Sequence, residues 1–336
     1  MRRGSWTRGL AVLALAAGVA MPQAGAETQR IASLPSWNDG AAKSAIVDFV
    51  KAVTEPNSKD FVRPADRIAV FDNDGTLWAE QPLYFQLLFM LDQVKAAAPK
   101  HPEWKDNPAF QALAAQDKAA LEKLGTKPLL ELLGVANSGM TVGEYDATIR
   151  DWLATAQHPK FKRPYTELTY VPMRELLDYL RANSFRTFIV SGGSVEFMRP
   201  WAEKAYGIPP EQIVGSQQEV KFDLKDGKPV LTREAKFAFI DDGPGKPVGI
   251  YRNIGKRPIA AFGNSDGDFQ MLQVTTAGEG RRLALIVHHD DEQREFAYDR
   301  QSHIGKLDKA LAAAPANHWI VVSMKKDWKK VFAFQD

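Results

Sequence analysis

No cysteine occurs anywhere in the 336 residues, so an oxidising compartment can add no disulfide and a lipid-modified cysteine anchor is ruled out. Charge of one sign is equally scarce. The chain carries 43 Lys and Arg against 41 Asp and Glu, a formal +2, and nothing in that balance asks for nucleic acid or an anionic membrane surface. The apolar run from Leu10 to Met21 is too short to cross the ~30 Å of a bilayer interior, which takes about 20 residues. Internal repeats are missing, and low complexity is confined to the alanine-rich stretch Ala310 to Ala316. What remains is 45% hydrophobic and 25% charged, the composition of a globular chain able to bury a sizeable core.

The short apolar run has a telling context. Arg2, Arg3 and Arg8 precede it, and Ala24, Gly25 and Ala26 follow it. A basic start, a short apolar stretch and a small-residue cleavage site read as a secretory signal peptide over residues 1–26, cut before Glu27. Cleavage removes three arginines and no acid, taking the formal charge from +2 to −1. The expected product is soluble, periplasmic or secreted, and free of the membrane.

Beyond a helix expected over Ala41 to Val53, the run Arg67 to Phe71 has the length and composition of a buried strand. It ends in a polar turn, Asp72-Asn73-Asp74-Gly75-Thr76. The following stretch carries helical periodicity over Leu83 to Ala98, Pro108 to Leu124, Pro128 to Ala136 and Thr141 to Ala156. From Tyr165 the rhythm alternates: a helix near Pro172 to Ala182, a strand Thr187 to Val190, and Ser191-Gly192-Gly193-Ser194 opening another helix. Such alternation argues for a parallel sheet with right-handed crossovers. Glu219 to Thr232 reads as a hairpin around Asp226-Gly227, and strands follow at Pro258 to Phe262, Leu283 to Val287 and Trp319 to Val322. The expected architecture is α/β, a Rossmann-like parallel core of residues 27–79 and 165–336 interrupted by an all-helical cap of residues 80–164.

In parallel α/β sheets, ligands bind beyond the carboxyl ends of the strands. Three polar groups fall there: Asp72 with Asp74, Ser191, and the turn Gly263 to Asp268. Two carboxylates at i and i+2 can share one site if the chain tightens at Gly75, and hard oxygen ligands with water point to Mg²⁺. A calcium loop would need a glutamate where Leu83 stands. Ser191, with the amides of Gly192 and Gly193, can hold a phosphate at a helix N-terminus, although a plain cap by Ser191 or Ser194 would use the same residues.

These residues resemble the haloacid dehalogenase superfamily, and within it the phosphatases whose helical cap is inserted after the first motif, as in phosphoserine phosphatase. The resemblance runs from about Arg67 to Leu272 and is carried above all by Phe71 to Leu77. It implies that Asp72 attacks phosphorus to form an aspartyl-phosphate and that Asp74 serves as general acid and then general base. It implies Ser191 as the strand-terminal hydroxyl and a lysine that neutralises phosphate. Lys246 opens a helical stretch before the next strand and is preferred to Lys256, which sits directly before a strand. In the last motif Asn264 takes the metal-ligand position usually held by aspartate, with Asp268 behind it, so the expected Mg²⁺ ligands are Asp72, Asp74, Asn264 and Asp268; Asp266 is a possible stand-in for Asn264. Glu80 stands near the place of a glutamate that meets the substrate amine in phosphoserine phosphatases, one residue earlier.

The reading is therefore an exported, Mg²⁺-dependent hydrolase of small phosphorylated metabolites. A phosphate-ester binding protein weakened at Asn264, and a phosphotransferase using the same residues, are the alternatives. Outside the motifs, the run His158 to Arg163 and the cluster His288-His289-Asp290-Asp291 are read as linker and loop, either able to reach substrate. The lysine pairs 325–326 and 329–330 are read as a solvated face.

Overall fold

Ile68–Phe71 forms strand β1, buried on every residue because the sheet is covered on both faces. The computed structural model describes residues 34–335 apart from 116, 118, 119, 121, 122 and 125, so the signal-peptide reading of residues 1–26 lies outside the described residues. Contacts gather Ile31–Asp336 into one unit.

Around β1 lie β2 (Arg186–Ser194), β3 (Ile213–Lys225), β4 (Lys228–Phe239), β5 (Ala260–Gly263), β6 (Leu283–Asp290), β7 (Ala297–Tyr298) and β8 (Ile320–Ser323). The sheet order is β4-β3-β2-β1-β5-β6-β7, with β8 also on β6. Pairing is parallel from β3 through β2, β1, β5 and β6 to β8, and antiparallel at β3 with β4 and at β6 with β7. Residue parity splits the core into two layers. Ala69, Phe71, Ile189 and Phe262 join one apolar cluster, whereas Ile68, Val70, Val190 and Ala261 join the other.

Helices fill both layers. On the first face lie α1 (Ala41–Thr54), α6 (Val171–Ala182) and α7 (Val195–Tyr206), through residues such as Phe49, Leu177 and Trp201. On the second lie α8 (Gly245–Asn253), α9 (Phe269–Thr276) and α10 (Lys309–Ala313), through Ile250, Met271 and Ala310. Between β1 and β2 the chain inserts α2 (Phe85–Ala97), α3 (Pro108–Ala114), α4 (Thr126–Ala136) and α5 (Val142–Thr155). The architecture is thus α/β with inserted helices, as the alternation of patterns foretells. Among the described residues, no helix is long and apolar enough to cross a membrane.

Two elements differ from expectation. The periodicity around Pro108 to Leu124 promises one helix, but α3 ends at Ala114, and the Asp117 carboxylate accepts the Ala120 amide at 3.1 Å, the geometry that begins a new turn. The hairpin also runs longer than its alternating segment. β3 starts at Ile213, where it pairs with β2, and then runs past β2 to pair with β4 alone. Its two-residue turn has Asp226 and Gly227 at φ 54 and 73°, the conformation that matches strand twist. The hairpin meets the inserted helices: Gly139 donates to Arg233 O at 2.9 Å and Arg233 donates to Met140 O at 2.9 Å.

Candidate active site

The turn after β1 is held from several sides. The Asp72 amide donates to Phe262 O at 2.9 Å, tying it to β5, and Asn73 O accepts from Thr76 and Leu77 at 3.2 and 2.8 Å. Gly75 has φ +71°, and a Cβ there would stand 2.1 Å from Asn264 Nδ2 and 2.3 Å from Glu80 Oε1, so only glycine fits. Trp78 is fully buried, stacked on Trp201 at 4.2 Å and edge-on to Phe85 at 4.8 Å, and its Nε1–H donates to Asp74 Oδ1 at 2.7 Å. A residue with no obvious chemical role thereby aims one of the two turn carboxylates.

Lys246, in the first turn of α8, is 1% exposed, with Nζ 3.0 Å from Asp72 Oδ1 and 2.5 Å from Asp268 Oδ1. Burial works against its charge, but Asp268 and Asp72 outweigh that and hold the ammonium above its ordinary range. Asp268 is fully committed: Oδ2 accepts the amides of Asn264 and Ser265 at 2.9 and 3.0 Å. Lys256 lies elsewhere, exposed, donating to Asp66 at 2.6 Å at the amino end of β1.

Burial, followed by the charge of Asp268, pushes the Asp72 carboxyl well above the usual range, while Lys246 pulls it back. Burial also raises Asp74, to about 6, against the opposing pull of Trp78 and Lys246. Glu80 is 1% exposed and is raised well above its ordinary value, again chiefly by burial. Its Oε1 accepts from Asn264 Nδ2 at 2.7 Å and from the Tyr298 hydroxyl at 2.8 Å. Asn264 Oδ1 in turn accepts the Thr76 hydroxyl at 3.0 Å.

Ser191 ends the buried part of β2, and its Oγ accepts the Gly193 amide at 3.1 Å. Ser194, not Ser191, caps α7, accepting the Phe197 amide at 3.2 Å. Gln86, from α2, closes over this loop: Oε1 accepts the Ser194 amide at 2.8 Å and Nε2 donates to the Ser194 hydroxyl at 3.1 Å. Asp72, Asp74, Glu80, Ser191, Gly192, Gly193 and Lys246 all border one cavity of about 370 Å³, together with Gln86 and Asp242. Asn264 and Asp268 stand immediately behind it, through Glu80 and Lys246. Asp266 is turned away; its Oδ1 accepts the amides of Asp308 and Ala310 at 3.0 and 2.9 Å and so serves α10.

The remaining sequence candidates sort simply. His158 is buried and bonds Gln81 O at 2.7 Å, joining the two chain crossings between core and inserted helices. His289, also buried, bonds Gly75 O at 2.8 Å and faces Glu295 at 3.2 Å, so it steadies the turn after β1 from behind. Asp290 accepts from Ser323 and Lys325, and Asp291 pairs with Arg294. Trp328, between the two lysine pairs, and Phe332, just after them, are core residues.

The donor set bears directly on Mg²⁺. Asp72 and Asp268 flank the Lys246 ammonium, and Asp74 and Glu80 border the same cavity, so carboxyl groups outnumber cations among its described lining residues, an imbalance that a bound cation would relieve. Among the described residues, no three His, Cys, Asp or Glu side chains already converge on a cation position. Mg²⁺ asks for less, since one or two carboxylates with water and substrate oxygens suffice. Asp72 and Asp74 keep one carboxylate oxygen each without a hydrogen bond from the described residues, so the site fits that ion.

Residues 69–273, more than half of the chain, match the haloacid dehalogenase-like hydrolase family. The chain belongs to this family. Its membership accounts for the sheet with its inserted helices and supports general hydrolase activity. A conserved protein of unknown function from Anaerococcus prevotii DSM 20548 shares the fold, with TM-score 0.51 and 16% identity over 78% of this chain and 88% of that one. A protein of unknown function from Bordetella pertussis Tohama I follows at TM-score 0.48 and 15% identity, covering 76% and 97%. A phosphoserine phosphohydrolase-like protein from Francisella tularensis subsp. tularensis SCHU S4 aligns at TM-score 0.37 and 16% identity, covering 68% and 89%. No curated protein matches the chain.

Gln86, Trp78, Asp242 and His289 are the site residues that motif reading passes over or leaves as loop. Gln86 and His289 reach the site from far along the chain, through Ser194 and Gly75, Asp242 lines the cavity, and Trp78 reaches Asp74 from four positions on; no motif marks any of them.

Proposed function

We propose that this haloacid dehalogenase-like hydrolase is an exported, Mg²⁺-dependent phosphomonoesterase that works through an aspartyl-phosphate on Asp72. The observation that carries the reading is the Asp72 carboxylate at the carboxyl end of the central strand, 3.0 Å from the buried Lys246 ammonium, in one cavity with Asp74. In the first step an Asp72 oxygen bonds to phosphorus while the bond to the leaving oxygen breaks, and Asp74 gives that oxygen its proton. With Asp74 raised to about 6, a proton is within reach near neutral pH. In the second step Asp74 takes a proton from water as it attacks phosphorus, and the bond to Asp72 breaks, restoring both carboxyl groups.

Lys246 neutralises Asp72 and a phosphate oxygen, and the Ser191 hydroxyl with the Gly192 amide receives the others, the Gly193 amide orienting Ser191 by donating to its Oγ. Asp72 would hold the ion together with water and substrate oxygens, Asp74 keeping its remaining carboxyl oxygen for the proton it transfers, and Asp268 fixing the Asn264 backbone. Bound Mg²⁺ supplies charge that draws in the phosphate and offsets its growing negative charge. Residues 80–164 act as the cap over this cavity, and residues 27–79 with 165–336 as the core. The phosphoserine phosphatase likeness extends to this chemistry, whereas Glu80, already accepting from Asn264 and Tyr298, has little left to offer a substrate amine.

The test is phosphate release from an aryl phosphate by the purified protein. Activity should need Mg²⁺, disappear in EDTA and fall at least about 10³-fold in Asp72→Asn, the scale of loss when a covalent nucleophile is removed. Turnover near wild type in that variant overturns the mechanism. A second reading rests on Asn264, whose amide contributes no charge to a cation: a phosphate-ester binding protein with little turnover. Stabilisation by ligand without hydrolysis, and gain of activity in Asn264→Asp, would favour it.

A further inference from the structure

We infer, resting on the phosphomonoesterase reading, that the leaving group is a neutral and largely apolar alcohol. The cavity is divided by chemistry. Its floor is the polar core just described, and above it stand Leu87 and Met90 from α2, Leu133 from α4, and Phe237 and Ile240 from the end of β4 and just beyond. Ile240 is 42% exposed in the empty cavity. The apolar wall comes from two separate insertions, the helices and the hairpin, which the contacts of Arg233 with residues 139 and 140 lock together. With phosphate seated between Asp72 and Ser191, these apolar side chains border the same cavity and are the surface against which the carbon atoms of the alcohol would pack.

Charge decides against the other small phosphate esters. Among the described residues lining the cavity, Lys246 is the sole cation, and Asp72 and Asp268 already take it. Asp74, Glu80 and Asp242 are the remaining ionisable carboxyl groups there. A leaving group bearing a carboxylate or a second phosphate meets like charge with no counter-ion, as phosphoserine would. An ammonium gains little either. Glu80 is spent on two donors, and Asp242 is solvent-exposed, where attraction is screened.

An alkyl phosphate series from ethyl to hexyl keeps the acidity of the leaving oxygen nearly constant, so chain length reads contact with the wall. With Mg²⁺ present, kcat/KM should rise roughly fourfold per added methylene until the cavity fills, the value of burying one such group. Phosphoserine and phosphoethanolamine should fall at least about 100-fold below hexyl phosphate, several such steps. Ile240→Lys, at a partly exposed position outside the catalytic set, should flatten the alkyl slope and raise phosphoserine relative to hexyl phosphate. Phe237→Ala should flatten the slope without helping phosphoserine.

A flat or falling slope, or preference for the ammonium or carboxylate ester, overturns the inference and leaves the phosphomonoesterase reading standing if aryl phosphate is still hydrolysed. Calorimetric binding of ethyl- to hexylphosphonate separates the two further. Affinity that climbs with chain length in a protein hydrolysing nothing sinks the hydrolytic reading but keeps the apolar wall, and affinity indifferent to length sinks the wall.

Discussion

Asp241 is fully buried, neither of its carboxylate oxygens has a partner, and burial raises its pKa from 3.8 to about 7. A Cβ at Gly249 would stand 2.2 Å from Asp241 Oδ1, so the carboxyl is wedged beneath α8. Because the folded value lies above the unfolded one, the contribution to stability is complete below about pH 3.8 and is lost as pH rises through about 7. Ionisation in the unfolded chain is already well advanced at pH 5, so the loss still to come between pH 5 and 8.5 is roughly 2 to 3 kcal/mol. Asp241→Asn removes the titration. The amide pays its own constant cost for lacking partners, but that cost does not vary with pH. Thermal unfolding of both proteins at the two pH values should show wild type losing about 5 °C against the variant on going to pH 8.5, at roughly 2 °C per kcal/mol for a chain of this size. An unchanged difference between them would refute the reasoning and mean that the carboxyl is hydrated or paired.

Three further outcomes follow from the site. Since Asp74 is raised to about 6 by burial, kcat/KM should decline as pH rises above that value and the general acid loses its proton. A pH–rate profile of Asp74→Asn should be slow and lack this limb. Lys246→Met leaves Asp72 and Asp268 buried without their counter-charge, which should cost about 3–5 kcal/mol by denaturant unfolding as well as activity; unchanged stability would mean the carboxyls are already neutral. Gln86→Ala removes both contacts to Ser194; kcat/KM should drop roughly tenfold with unfolding unchanged, about the weight of one or two hydrogen bonds that position rather than support. Equal kinetics in that variant would show that the Ser191 loop holds itself.

Much of the fold was legible because its signals are local. A strand buried on both faces must be apolar throughout, so Ile68 to Phe71 and Leu283 to Val287 announce themselves in sequence, as do the carboxylates that follow the first. The strand at Ile213 was not legible: its pairing with β2 is brief, and the alternation begins only where β3 has run past β2. Helix α3 likewise looked longer than it is, since periodicity cannot register a new cap at Asp117.

Order along the chain was enough to put Asp72, Asp74 and Ser191 at strand ends, because chain direction in a parallel sheet decides which ends share a face. It could not say that Asp266 would serve α10, or that Gln86 and an apolar wall from two insertions would close the cavity. Those depend on distances between segments far apart in sequence, which only packing brings together. The chemistry of the floor is written in short motifs, and the shape above it is set by tertiary contact.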